Sequence, residues 1–182
     1  MAETLVDALA RYRQAWPGEV EKIGGFQSLL DEPAEAPDHA FTRGRLRGHF
    51  TASAWLVSRD RQHVLLTHHR KLDRWLQLGG HADGDTDLLR VALREATEES
   101  GLTDLEGKPD IFDLDRHWIP ELAEVSGHWH YDVRFVVLAT GSEIFVVSEE
   151  SHALAWREIS AIAADPDADE SLRRMARRWL TR

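Results

Sequence analysis

Three glutamates, Glu95, Glu98 and Glu99, fall within five positions just ahead of Gly101 in the stretch GGHADGDTDLLRVALREATEESGL, residues 79–102. Separations of three and four place them on one face of a helix. Like charges at that spacing cost about 0.2–0.5 kcal/mol per pair, and anions in a last turn oppose the helix dipole at about 0.3–1 kcal/mol more. A solvated acidic face tolerates penalties of that size. A divalent cation reverses their sign, because carboxylate oxygens are the ligands that hard cations take. Such a helix therefore offers cation-assisted work on an anionic substrate, with simple solvation as the plainer alternative.

The flanking residues predict the helix that carries these groups. Leu89, Ala92, Leu93 and Ala96 share one apolar face, Asp85 or Thr86 can cap the start with Asp87 in the first turn, and Gly101 supplies a left-handed stop. That spacing predicts a helix over about 86–100. Ahead of it, WLQLGG reads as a short strand entering a loop whose glycines at 79, 80 and 84 let backbone approach a ligand. The run HFTASAWLVSRDRQHVLLTHH reads as two strands joined by a polar turn at residues 58–62. Further strands are expected at DIFDLDRHW, HYDVRFVVLAT, EIFVVS and ALAWREI. Helical spacing of Leu5, Leu9, Tyr12 and Trp16, a weaker pattern over 19–31, and DESLRRMARRWL place helices at both ends. Many strands around one central helix imply a mixed α/β domain.

The 182 residues suit one domain with a terminal extension, and no apolar run reaches membrane-spanning length. The amphipathic, acidic opening MAETLVDALARYRQAW does not read as a signal peptide. The absence of cysteine excludes disulfide and thiolate chemistry and makes a cytoplasmic address the default expectation. A formal net charge of -10 argues against nucleic-acid binding.

The glutamate stretch resembles the signature of the Nudix hydrolase family, G-x5-E-x7-R-E-U-x-E-E-x-G-U, where U is bulky and aliphatic. Gly80, Arg94, Glu95, Glu98, Glu99, Gly101 and Leu102 fit in register, with the smaller Ala96 in an aliphatic slot. Thr86 stands where the family has its first glutamate, with Asp83, Asp85 and Asp87 nearby. The resemblance implies an α/β/α sandwich with a mixed β-sheet, an N-terminal helical extension over residues 1–45, and a Nudix hydrolase domain over 46–182. It implies hydrolysis of the phosphoanhydride bond in a small-molecule nucleoside diphosphate derivative, with Mg²⁺ as cofactor and Mn²⁺ as a substitute. The alternatives are a noncanonical nucleoside triphosphate pyrophosphatase and a silent nucleotide-binding module, the latter motivated by Thr86. By resemblance, Glu98, Glu99 and the Gly80 carbonyl are metal ligands. Glu95 is a further ligand or the base, and Arg94 orients the glutamates. Some members recruit a carboxylate before a late tryptophan, which here points to Glu150, or Glu149, ahead of Trp156. The first 45 residues are available as a helical cap or a homodimer surface.

Other residues are candidates to read the substrate. Strand alternation puts His128, His130, Asp132 and Arg134 on one face and Trp129, Tyr131, Val133 and Phe135 on a core-like opposite face. The polar stripe suits a substrate cleft or the wet face of a sheet. His128 and His130, with His117 or His152, also invite a zinc reading, against which stands the absence of a His-Glu-x-x-His helix. Arg70 with Lys71, and Arg43, Arg45 and Arg47, suit phosphate oxygens or plain surface pairing.

Overall fold

The computed structural model describes residues 4–32, 39–121, 125–149 and 151–182. Two N-terminal helices, α1 (Leu5–Ala15) and α2 (Val20–Asp31), precede strands β1 (His49–Val57), β2 (His63–His69) and β3 (Arg74–His81). Helix α3 (Leu88–Ser100) leads to β4 (Leu105–Ile119), β5 (His128–Ala139) and β6 (Ser151–Glu158), and α4 (Ile159–Ala164) and α5 (Glu170–Leu180) follow. The six strands form one mixed sheet in the order β4-β5-β1-β3-β2-β6. Only the β1–β5 pairing is parallel, running from His49 opposite His130 to Val57 opposite Leu138. Strand β1 is buried along its whole length, as a parallel central strand covered on both faces must be.

Alternation along β1 sorts the two layers. Phe50 and Ala52 pack with Leu9, Phe26 and Val91 from α1, α2 and α3. Trp55 and Val57, of opposite parity, pack with Ile159, Leu172 and Met175 from α4 and α5. The result is an α/β/α sandwich with the N-terminal helices beside α3. Their attachment passes around the edge strand β4. Arg178 of α5 donates to the Phe112 carbonyl (2.6 Å) and the Tyr12 hydroxyl (2.7 Å), and also pairs with Glu19. No helix among the described residues is long and apolar enough to cross a membrane.

Two local expectations change. Helix α3 is capped by Asp87, whose carboxylate accepts from the Arg90 N–H at 3.0 Å, so the helix starts at Leu88. Asp85 instead accepts from the Asp87 N–H and from the Arg90 guanidinium. The segment EIFVVS is not a strand, because its backbone groups find other partners. The Val146 N–H donates to the Ser100 carbonyl at the end of α3 (2.8 Å), and the Glu143 carbonyl accepts from Trp156 Nε1 (3.0 Å).

Candidate active site and a histidine cluster

Helix α3 lies along the C-terminal end of β3, and the contact between them is built from glutamates and glycines. The Gly79 N–H donates to Glu99 Oε1 at 2.8 Å, and the Glu99 side chain is only 7% exposed. A Cβ on Gly80 would sit 2.5 Å from Glu95 Oε2, so the missing side chain is what lets that carboxylate reach the strand. Gly79 is needed for a different reason, since a Cβ there would meet the β1 backbone at Ser53 (2.8 Å from its Cα). Arg94 donates from Nη2 to both Glu95 Oε1 (2.8 Å) and the His81 carbonyl (2.9 Å), joining the helix to the strand end. The hydrogen bond to Glu95 holds the Arg94 guanidinium above its ordinary pKa. Glu98 stands exposed one turn on. Gly101 closes the helix at φ 72°, the left-handed conformation expected of it.

Thr86 is exposed, and the aspartates around it are engaged elsewhere. Asp83 pairs with Arg43 and Asp85 with Arg90, and each pairing holds its carboxyl below the ordinary range. Asp83 and Glu98 contribute only through-space charge at Arg94. The donor set of Glu95, Glu98, Glu99 and the Gly80 carbonyl is all oxygen, which fits a hard divalent cation such as Mg²⁺.

The remaining candidates scatter. Arg70 is exposed beyond β2 and donates to the Ser151 carbonyl at 3.1 Å. Glu149 is exposed, and Glu150 lies outside the described residues. Asp132 is buried, accepting from Thr51 Oγ1 (2.9 Å), Ser53 Oγ (2.8 Å) and Arg134 Nε (2.7 Å). Arg134, itself buried, also pairs with Asp113 and Asp115, and Arg174 from α5 closes the network. The stripe on β5 is thus partly a buried ion-pair lattice beneath α5 rather than a wet face. Arg43 is tied to Asp83, and Arg45 is buried against the Gly48 carbonyl and Glu32.

His128 and His130 come together with two residues that sequence reading had not singled out, His49 on β1 and His81 on β3. One side-chain nitrogen from each of the four lies within 4.8 Å of the others. Burial, reinforced by the neighbouring histidines, lowers the His81 pKa to about 4 and that of His130 to about 2, and burial also depresses His49. His117 packs on His130 but turns its Nδ1 to Asp115 at 3.2 Å, and His152 packs on His68 instead. No spacing in the sequence points to His49 and His81; the strand pairings bring them in, with His49 opposite His130 and His81 opposite Thr51.

The NUDIX domain model matches residues 48–179. Similar folds include an Ap4A hydrolase from C. elegans (17% identity over 72% of this chain and 95% of that one, TM-score 0.56). A NUDIX family hydrolase from Clostridium perfringens aligns at 20% identity over 73% and 97%, with a TM-score of 0.55. The E. coli dihydroneopterin triphosphate pyrophosphohydrolase aligns at 18% identity over 72% and 94%, with a TM-score of 0.54. No curated protein matches the chain by sequence. The chain belongs to the NUDIX family and is an enzyme of its pyrophosphohydrolase class.

Proposed function

We propose that this protein hydrolyses the phosphoanhydride bond of a nucleoside diphosphate linked to a second moiety, with Mg²⁺ as cofactor and Mn²⁺ able to replace it. The observation that carries the reading is the docking of Glu95 and Glu99 against Gly79 and Gly80, with Arg94 bridging Glu95 to the strand end. Glu98, Glu99 and the Gly80 carbonyl would hold the cation, which supplies positive charge against the phosphates and acidifies water. The Gly79 N–H orients Glu99 through Oε1, and Arg94 fixes Glu95 through Oε1. Glu95 Oε2, facing Gly80, takes the proton of the attacking water. Water oxygen bonds to phosphorus as the bridging P–O bond breaks, and the leaving phosphate departs with the electron pair.

Among the similar folds, one acts on Ap4A and one on dihydroneopterin triphosphate, both of which contain the bond in question. Asp83 and Asp85 are committed to Arg43 and Arg90 and leave the position of Thr86 without a carboxylate from either, so a nucleotide-binding module without turnover is the outcome that would overturn this reading. A panel of dinucleotides, nucleotide sugars and nucleoside triphosphates, incubated with Mg²⁺ or Mn²⁺ and analysed for products, separates the readings. Cleavage of a diphosphate bridge to two phosphorylated products supports the first, and release of pyrophosphate from a triphosphate supports the pyrophosphatase variant. Binding without turnover supports the module. Glu98→Gln is expected to lower turnover at least about 100-fold, and unchanged turnover removes the ligand assignment.

A further inference from the structure

Four imidazoles crowd the end of the sheet where β1, β3 and β5 meet, on a different face from the glutamates. Strand alternation separates the two sets: Gly80 faces Glu95 and α3, so its neighbour His81 points to the α5 side. His49 has the parity of Thr51 and Ser53, and His128 and His130 have that of Asp132, to which both hydroxyls donate on this same side. His49 and His128 are buried and His81 and His130 half-buried.

The tautomers are set by backbone carbonyls. His128 Nδ1 lies 2.8 Å from the Ser126 carbonyl and His49 Nδ1 lies 3.1 Å from the Arg45 carbonyl. A carbonyl only accepts, so each Nδ1 carries the hydrogen and each Nε2 presents a lone pair. This outer hydrogen bond is the arrangement that orients metal-bound histidines. His49 Nε2 is buried without a hydrogen-bond partner. His128 Nε2 and His130 Nε2 are 3.1 Å apart, close to the edge of about 3.4 Å that a tetrahedron of zinc–nitrogen bonds requires. A buried lone pair with no donor, within 4.8 Å of ring nitrogens from three more imidazoles, is a nitrogen donor set awaiting an electrophile.

We propose that His49, His81, His128 and His130 bind a divalent transition-metal ion, zinc by preference, at a site separate from the Mg²⁺-binding glutamates. Four imidazoles suit Zn²⁺ and not Mg²⁺, which takes oxygen ligands. The ion pins three strands at their shared end. It also fixes His81, whose carbonyl receives Arg94, and so steadies the anchor of the glutamate helix.

Tag-free protein, purified without chelator, is analysed for metal content, then stripped and titrated with Co²⁺ and with Zn²⁺ against a chromophoric chelator. The expected result is one zinc per chain and the intense visible bands of tetrahedral cobalt. His49→Gln/His128→Gln is expected to weaken Zn²⁺ binding at least 100-fold, whereas Glu98→Gln keeps the cobalt spectrum while affecting Mg²⁺-dependent turnover. X-ray absorption of zinc-loaded wild-type protein is expected to show four nitrogen ligands with imidazole scattering, and this reading does not depend on any variant folding. Pale octahedral cobalt, oxygen-dominated zinc coordination, or a folded double variant with unaltered affinity overturns the proposal. None of these results bears on hydrolysis, which the substrate panel tests separately.

Discussion

Glu95 and Gly80 meet because one has a carboxylate and the other has no side chain. Gly80→Ala would place a Cβ 2.5 Å from Glu95 Oε2 and 2.6 Å from its carboxyl carbon. The carboxylate is the far end of a flexible chain and can swing away, so stability should change by no more than about 0.5 kcal/mol. Turnover should fall about 10–100-fold, because a displacement near 1 Å in a reacting group costs on that order. Thermal unfolding and steady-state kinetics on the same variant check both halves; a large loss of stability with normal turnover would contradict the assignment of Glu95. Gly79 carries the opposite expectation, since its obstruction is the backbone of β1, which cannot swing away.

Helix α3 presents its acidic last turn to β3 only if it stops on time. Gly101 adopts φ 72° and its N–H donates to the Thr97 carbonyl at 2.8 Å, after which Leu102 turns into the core. Gly101→Ala places a Cβ in a left-handed conformation and 3.4 Å from the Val146 side chain, and is expected to cost about 1–2 kcal/mol. Gly101→Asn should cost less, because asparagine tolerates that conformation better. Chemical denaturation of the two variants checks the order, and equal stabilities would show that the cap is not limiting.

The molecule as a whole is tied together by an ion-pair lattice between β4, β5 and α5. Burial pushes the Asp115 carboxyl up, but the His117 hydrogen bond and the Arg134 and Arg174 guanidiniums outweigh it and hold the group well below the usual range. A carboxyl whose folded pKa lies below its ordinary 3.8 adds stability above that pH. The contribution is lost as pH falls below 3.8 towards the folded value. Asp115→Asn is therefore expected to destabilise the protein at neutral pH by on the order of 3 kcal/mol, the cost of leaving the buried Arg134 and the half-buried Arg174 under-paired. Its deficit should shrink steadily as pH drops below about 4. Melting temperatures of both proteins between pH 7 and 3 check this, and a pH-independent gap would exclude the linkage. The same lattice explains why Asp132 and Arg134, written as a stripe facing substrate or water, are buried. The alternation was correct, but α5 covers that face.

What the chain order alone determined is local. Periodicity and a terminal glycine define α3, and the motif spacing from Gly80 to Leu102 picks out the glutamates as candidates, because those groups are near one another along one helix and the strand that feeds it. The EIFVVS segment defeated the same reasoning: its apolar pattern suits a strand, but its backbone hydrogen bonds go to α3 and Trp156. Tertiary structure alone decided the histidine cluster, since His49, His81 and the pair on β5 are brought together by strand pairings that join distant positions. It also placed the first helices against the core of α3, through apolar contacts and the reach of Arg178 around β4. Sequence spacing reports only neighbours on one element; which elements become neighbours is set by how their buried faces pack.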